Sequence, residues 1–313
     1  MSSQPDSRMS APIDVRNVRR LFDTPARIAE SNFLRREIAA RMHERLSLVK
    51  IQPQRVLDLG CGEGADFSTL QELYPEAHLL GLDGSFSLLV GGRAGQSAAA
   101  SSMSRLFGKL LPRKMGARPQ DAFSQLCGDF SQLPLKPASA DLIWSNLALH
   151  WHPQPDLVFA EWRRVLRIDG LLMFSCFGPD TFKEIRAAFA HVDEYPHTLN
   201  FVDMHDLGDM LVNSGFSTPV MDMETITVTY ESTDKLLADV RAWGGNPLLT
   251  RRRGLLDRSA KAQLLRVLDT FRRPDGKIPL TFEVVYGHAF RPAPTKTADG
   301  ESIIRFDLPR KRQ

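Results

Sequence analysis

Val56-Leu57-Asp58-Leu59-Gly60-Cys61-Gly62-Glu63-Gly64 is an apolar run that ends in an acid and then in three glycines at alternate positions. A buried parallel strand that turns sharply into a helix reads this way. Glycine adopts positive φ without strain and carries no Cβ to hold a ligand off the main chain. The helix that follows aims its unpaired amides, the positive end of its dipole, at whatever sits in the turn. In doubly wound α/β sheets, that place at the carboxyl end of a strand holds nucleotides.

Spacing decides which nucleotide. A redox dinucleotide asks for Gly-x-Gly-x-x-Gly. Here Gly60, Gly62 and Gly64 follow Gly-x-Gly-x-Gly, with Asp58 two residues ahead of the first. A carboxylate there suits a cationic amino-acid tail better than a diphosphate, and no phosphate-loop lysine follows. Leu79-Leu80-Gly81-Leu82-Asp83-Gly84 reads as the second strand, with Asp83 at its tip placed to accept both ribose hydroxyls of an adenosine. Cys127-Gly128-Asp129-Phe130 adds an acid for an adenine amino group and a ring to cover the base. A glycine turn with solvated acids at strand ends is the competing reading. Three features in this order favour an S-adenosylmethionine site. Its expected contacts are Asp58, Gly60, Cys61, Gly62, Gly64, Asp83, Gly84, Asp129 and Phe130, joined by Asn146 and Leu147 at the end of a later strand.

The same order of motifs resembles the class I methyltransferases. Asp141-Leu142-Ile143-Trp144-Ser145-Asn146-Leu147-Ala148-Leu149-His150-Trp151 is similar to strand four of the biotin-pathway malonyl-[acyl-carrier protein] O-methyltransferases. So are Phe177-Gly178-Pro179-Asp180-Thr181, Asp203-Met204-His205-Asp206-Leu207-Gly208-Asp209 and Phe282-Glu283-Val284-Val285-Tyr286-Gly287-His288-Ala289-Phe290. These segments cover most of the chain from about Arg19 to Pro292, and the later ones are far more restricted than the glycine loop. The resemblance implies S-adenosylmethionine as methyl donor and no metal. It implies as acceptor the free carboxyl of a malonyl group on an acidic acyl carrier protein, or malonyl-coenzyme A. Two alternatives stay open. One is a methyltransferase for another small acid or a quinone-type acceptor. The other is a donor-binding assembly factor without turnover, since a mitochondrial complex I assembly factor of the superfamily carries similar Phe-Gly-x-Asp-Thr and Asp-Leu-Gly segments.

The expected fold is a Rossmann-like, doubly wound, mostly parallel sheet with an antiparallel edge pair and a helical lid insertion. Residues 1–49 read as a tail and helices, and 50–231 as the donor-binding core with a basic insertion at about 91–120. Residues 232–279 read as the lid, 280–292 as the last core strand and 293–313 as a flexible basic tail. Strands are expected near 55–59, 78–83, 141–145 and 170–176, with 220–230 and 281–290 as the edge pair.

Composition agrees. The chain has 313 residues, 40 Lys plus Arg against 37 Asp plus Glu and a formal net charge of +3, ordinary for one large soluble domain. No apolar run approaches the ~20 residues of a membrane span, and no signal-peptide core opens the chain, so the expected location is the cytoplasm. Cys61, Cys127 and Cys176 read as buried free thiols and not as a disulfide frame or metal site. Basic residues cluster in the insertion, at Arg251-Arg252-Arg253 and at Arg310-Lys311-Arg312. An acidic carrier protein would be steered by such a rim. RNA would feel the same charges, but no RNA-recognition module accompanies them, so nucleic acid is not the expected partner.

The acceptor should enter over the ends of strands four and five. His150, Trp151 and His152 are the substrate-side candidates there, and Tyr286 and His288 join them from the restricted late motif. Packing and helix-start roles compete for each. No catalytic base is assigned, because the carboxylate acceptor that the resemblance implies is ionised at neutral pH, and catalysis can then rest on alignment and water exclusion. One departure stands out. Related enzymes carry a tyrosine–acid pair in the amino-terminal helix, whereas Phe22-Asp23-Thr24-Pro25-Ala26 has none and no tyrosine precedes Tyr74. Either Phe22 substitutes by packing, or closure differs.

Overall fold

Runs such as Val56–Leu59 and Leu142–Trp144 bury side chains on both faces, which only a central strand covered by helices on each side allows. The computed structural model describes residues 12–24, 32–92, 124–243 and 245–294. The basic insertion falls almost wholly outside them, as does the tail from 295.

Seven strands form one sheet in the order β3-β2-β1-β4-β5-β7-β6. They are β1 (Arg55–Leu59), β2 (His78–Asp83), β3 (Ser124–Cys127), β4 (Ala140–Asn146), β5 (Leu166–Phe177), β6 (Ser217–Tyr230) and β7 (Ile278–Phe290). The first five are parallel, and β7 runs antiparallel to both β5 and β6. The expected edge pair is therefore present. Strand order reverses between β1 and β4, and their carboxyl ends open the crevice where such sheets bind ligands.

Among the described residues two helices precede the sheet, α1 (Val15–Phe22) and α2 (Asn32–Ser47). The others are α3 (Phe67–Leu73), α4 (Pro155–Val165), α5 (Lys183–Phe189), α6 (Met204–Asn213), α7 (Thr233–Ala242) and α8 (Arg258–Thr270). Leu34, Ile38, Met42 and Leu46 recur on one face of α2 and are all but inaccessible. They pack with Phe67, Trp144, Met173 and Val284 on one side of the sheet. Val158, Phe159 and Trp162 of α4 and Leu207, Met210 and Leu211 of α6 cover the other side against Leu57, Ile143 and Phe174. Trp144 and Trp162 are core residues, as packing predicts.

The restricted motifs fold onto one another. The Glu283 carboxylate accepts from Asp180 N at 2.7 Å, and the Thr181 hydroxyl donates to Glu283 O while accepting from Glu283 N. A Cβ on Gly178 would lie 2.5 Å from Glu283 Oε1. Resemblance in these segments is therefore resemblance in how β7 is clamped to β5.

Two expectations need correction. Cys127 is exposed because β3 is a short edge strand, while Cys61 and Cys176 are buried and free. The 232–279 connection is not continuously helical. α7 and α8 flank an irregular stretch whose Pro247–Leu249 pairs with Pro12–Asp14 through Asp14 N to Pro247 O and Leu249 N to Pro12 O, both 2.9 Å. No described helix is long and apolar enough to cross a membrane.

Candidate active site

The glycine loop behaves as its spacing demands. Gly60, Gly62 and Gly64 have φ of 80°, 53° and 76°, the left-handed region. Gly60 N donates to Leu82 O at 2.7 Å, which draws the loop over β2. Asp83 fastens the other side, accepting from Gly62 N at 2.9 Å and from Ser85 N at 2.7 Å. Above this loop lies a cavity of about 830 Å³. That is ample for a ligand of nucleoside size.

Asp58, Gly60, Cys61, Gly62, Asp83, Gly84, Asp129, Phe130, Asn146 and Leu147 line the cavity, and of the expected donor contacts only Gly64 stands back from it. Asp58 is 2% exposed. Burial pushes its carboxyl well above the usual carboxylate range, with Asp66 and Asp83 adding to the effect. It has no hydrogen-bond or ion partner among the described residues. Burial also raises the Asp83 carboxyl. Such a cleft favours a cation.

Arg19, Arg35 and Arg36 also line the cavity, and of these Arg35 is the deeply buried one. Arg35, from the first turn of α2, lines the cavity with its guanidinium carbon 5.7 Å from the Phe22 ring centre and 5.3 Å from that of Trp243. Burial draws its pKa down to about 10 against the opposing pull of Asp83 and Glu63, so it remains charged at neutral pH. No carboxylate hydrogen-bonds it among the described residues. An amino-acid carboxylate would find its counter-charge there, beside acids suited to the amino group.

Other expected residues are already engaged. The Asn146 amide donates to Arg35 O and its carbonyl accepts from Ser175 Oγ, so it shapes the turn beneath the ligand. That turn holds Leu147 at φ 54°, a strained angle for a branched side chain. Asp129, expected to face adenine, accepts from Ser131 through one oxygen and from Arg19 through the other at 3.0 Å. Phe130 keeps its place in the wall, tilted against His152 and Trp162.

On the acceptor side, Trp151 and His152 line the cavity. Phe22 meets Trp151 edge-on at 5.3 Å. His152 Nδ1 accepts from Gln154 N at 3.1 Å. Tyr286 and His288 are not among the residues that line the cavity. Tyr286 donates to Glu224, which also pairs with Arg41, and Arg45 lies 4.0 Å over its ring.

Helix α1 straps the cleft. Asp14 caps it by accepting from Asn17 N, Arg19 reaches across to Asp129, and Ser85 Oγ donates to Asp23 at 2.8 Å. Ile13, Val18, Leu199 and Leu248 pack beneath it. Arg19 and Asp129 are both partly exposed, so the pair is worth under about 1 kcal/mol. Arg19→Ala should lower donor affinity only a few-fold and leave Tm within about 2 °C. A larger Tm loss would make the strap part of the folded core and not a cover.

Arg35, Asp66, His43 and Arg19 escaped the sequence reading. Asp66 accepts from the Trp144 indole at 2.9 Å and lies 3.4 Å from His43, which stacks on Trp144. Arg35 sits among the helical pattern of α2, where Arg36, Arg41 and Arg45 look the same. No local signal marks Arg35 as the one that becomes buried.

The family model for a methyltransferase domain matches residues 57–174, the stretch from β1 to β5. A chain of the Haloferax volcanii complex between the Trm112 methyltransferase activator and a methyltransferase shares the fold, with TM-score 0.53 at 17% identity over 88% of this chain and 98% of that one. The malonyl-[acyl-carrier protein] O-methyltransferase of Laribacter hongkongensis is 44% identical over 94% of this chain and 96% of its own. That of Gallionella capsiferriformans is 43% identical over the same shares. Similarity at that level along nearly the whole of both chains, with the acid-and-glycine cleft in place, means that this chain belongs to the malonyl-[acyl-carrier protein] O-methyltransferase family.

Proposed function

We propose that this protein transfers the methyl group of S-adenosylmethionine to the free carboxyl of a malonyl thioester carried by an acyl carrier protein, in the pathway to biotin. Near-full-length identity to relatives named for that reaction is the observation that carries the reading. The cleft supports it, because the donor's positively charged end matches the buried acids, Asp58 above all, and its carboxylate matches Arg35. The bound sulfonium supplies a methyl already activated for displacement by a carboxylate oxygen, its C–S electron pair returning to sulfur, so no proton has to move.

What the chain contributes is position and dryness. Asp58 takes the amino group and Arg35 the carboxylate, fixing the amino-acid end. Asp83, already oriented by two backbone amides, takes the ribose hydroxyls. The strap and residues 245–249, which pair with it, cover the acceptor side and exclude water. Holding two reactants in register is worth roughly 7–11 kcal/mol of barrier. A methyl-esterified malonyl end is no longer an anion, so it can pass through chain elongation as an ordinary acyl terminus.

Incubation with labelled donor and malonyl-carrier tests the reading directly. A base-labile methyl ester on the carrier is expected. Donor binding without ester on malonyl-carrier or malonyl-coenzyme A would instead favour a binding protein without turnover. Asp83→Ala should weaken donor binding by about 10–100-fold, the loss of hydrogen bonds worth ~1–3 kcal/mol. Unchanged calorimetric affinity would remove Asp83 from the donor site.

A further inference from the structure

His150 is a polar group that the fold encloses and leaves without a partner. Both ring nitrogens are sealed from solvent, and neither has a hydrogen bond among the described residues. Trp151, Phe177 and Phe201 surround the ring, with centroids 5.0, 4.8 and 5.6 Å away. An apolar side chain would fill that aromatic nest at lower cost, since a buried polar group without a partner is destabilising. Packing alone gives no reason for an imidazole.

Position supplies one. His150 is the middle residue of the 3-10 turn Leu149–Trp151. The chain enters that turn from Asn146, Leu147 and Ala148 and leaves it through Trp151 and His152, all five lining the donor cavity. A second cavity, about 20 Å³, lies beside the ring under Ile13 and Phe201. Ile13 lies just ahead of the strap helix and packs beneath it, so the strap and this small cavity share a wall residue next to His150. The two other imidazole or amide groups of this loop are spent, Asn146 on Arg35 O and Ser175, His152 on Gln154.

Charge matters as well. Burial, with the nearby positive charge of Arg35, draws the His150 pKa down to about 3, so the ring is neutral at physiological pH. A neutral imidazole has one N–H to donate. Donation from a neutral ring aligns a carboxylate without the strong ion pair that would draw charge from its attacking oxygen.

We infer that His150 orients the methyl acceptor, its ring N–H donating to the acceptor carboxylate beside the donor's methyl group once the strap has opened and closed over the bound chain. The inference rests on the carboxylate-acceptor reading given above. It makes His150 a specificity-determining contact that donor binding does not need.

Three measurements on His150→Phe and His150→Gln decide it: calorimetric donor affinity, Tm, and methyl-ester formation on malonyl-carrier. For His150→Phe the expected result is Tm equal to or above wild type, donor affinity within twofold, and kcat/KM for the acceptor down at least 100-fold. His150→Gln restores a neutral N–H donor and should recover activity to within about tenfold of wild type. Turnover retained by His150→Phe would reduce the ring to packing. Equal losses of activity in both variants, tracking a fall in Tm, would overturn the inference in favour of a structural role. If wild-type protein forms no ester on malonyl-carrier, the acceptor reading fails and this inference falls with it.

Discussion

Gly60→Ala should abolish measurable donor binding and lower Tm by several degrees. The new Cβ would stand 2.3 Å from Ala148 Cβ, and the backbone there has φ 80°. Overpacking of this kind costs about 1–3 kcal/mol, and a left-handed non-glycine residue adds about 1–2 kcal/mol. Ala148 can yield only by moving the loop after β4, which carries the neighbouring cavity residues Asn146 and Leu147. Relief of the clash therefore deforms the site itself. Calorimetry should show affinity weaker by more than 100-fold. Gly276→Ala is the control, because its φ is 77° and nothing lies within 4 Å of the added Cβ. It should lose about as much stability as the backbone term alone and keep full donor affinity. Equal donor binding by wild type and Gly60→Ala would mean that the ligand does not lie on this main chain.

Arg35→Leu should separate binding from stability. Hydrogen bonds to charged groups are worth about 1.5–3 kcal/mol, so donor affinity should fall by roughly 10–100-fold. Stability should not follow. Arg35 makes ring contacts to Phe22 and Trp243 but no ion pair among the described residues. Leucine keeps much of that packing without a desolvated cation. The expected outcome is Tm unchanged or slightly raised with turnover strongly reduced. A donor analogue lacking its carboxylate should bind wild type and Arg35→Leu equally. If the analogue still discriminates between them, Arg35 holds some other part of the ligand. An unchanged affinity for the natural donor would place the amino-acid carboxylate elsewhere.

Much of the frame was legible because its signals are local. Leu57 and Leu59 face one side of the sheet while Val56 and Asp58 face the other, a parity that strand geometry imposes on any buried strand. Three alternating glycines require left-handed backbone, and the structure has it at all three. Asp83 at the tip of β2 follows from where a second parallel strand must end. The antiparallel pair was readable from β-branched runs at 220–230 and 281–290. The failures have a common cause. Tyr286 and His288 stand out because their motif is restricted, but the structure uses that motif within the core, where Glu283 clamps Asp180 and Thr181 and Glu224 holds Tyr286. Asp129 looked free for a base because sequence cannot show Arg19 arriving from a helix 110 residues away.

Amino-acid order by itself therefore determined the sheet, the bare glycine turn and the acids at the ends of β1 and β2, since each depends on backbone preference and side-chain parity within a few residues. Tertiary structure alone decided that Arg35 of α2 becomes buried, that a short amino-terminal helix crosses the cleft, and that an imidazole is enclosed without a partner among the described residues. Those outcomes depend on which distant surfaces meet, and that is set by the summed burial of the whole core and not by any one segment.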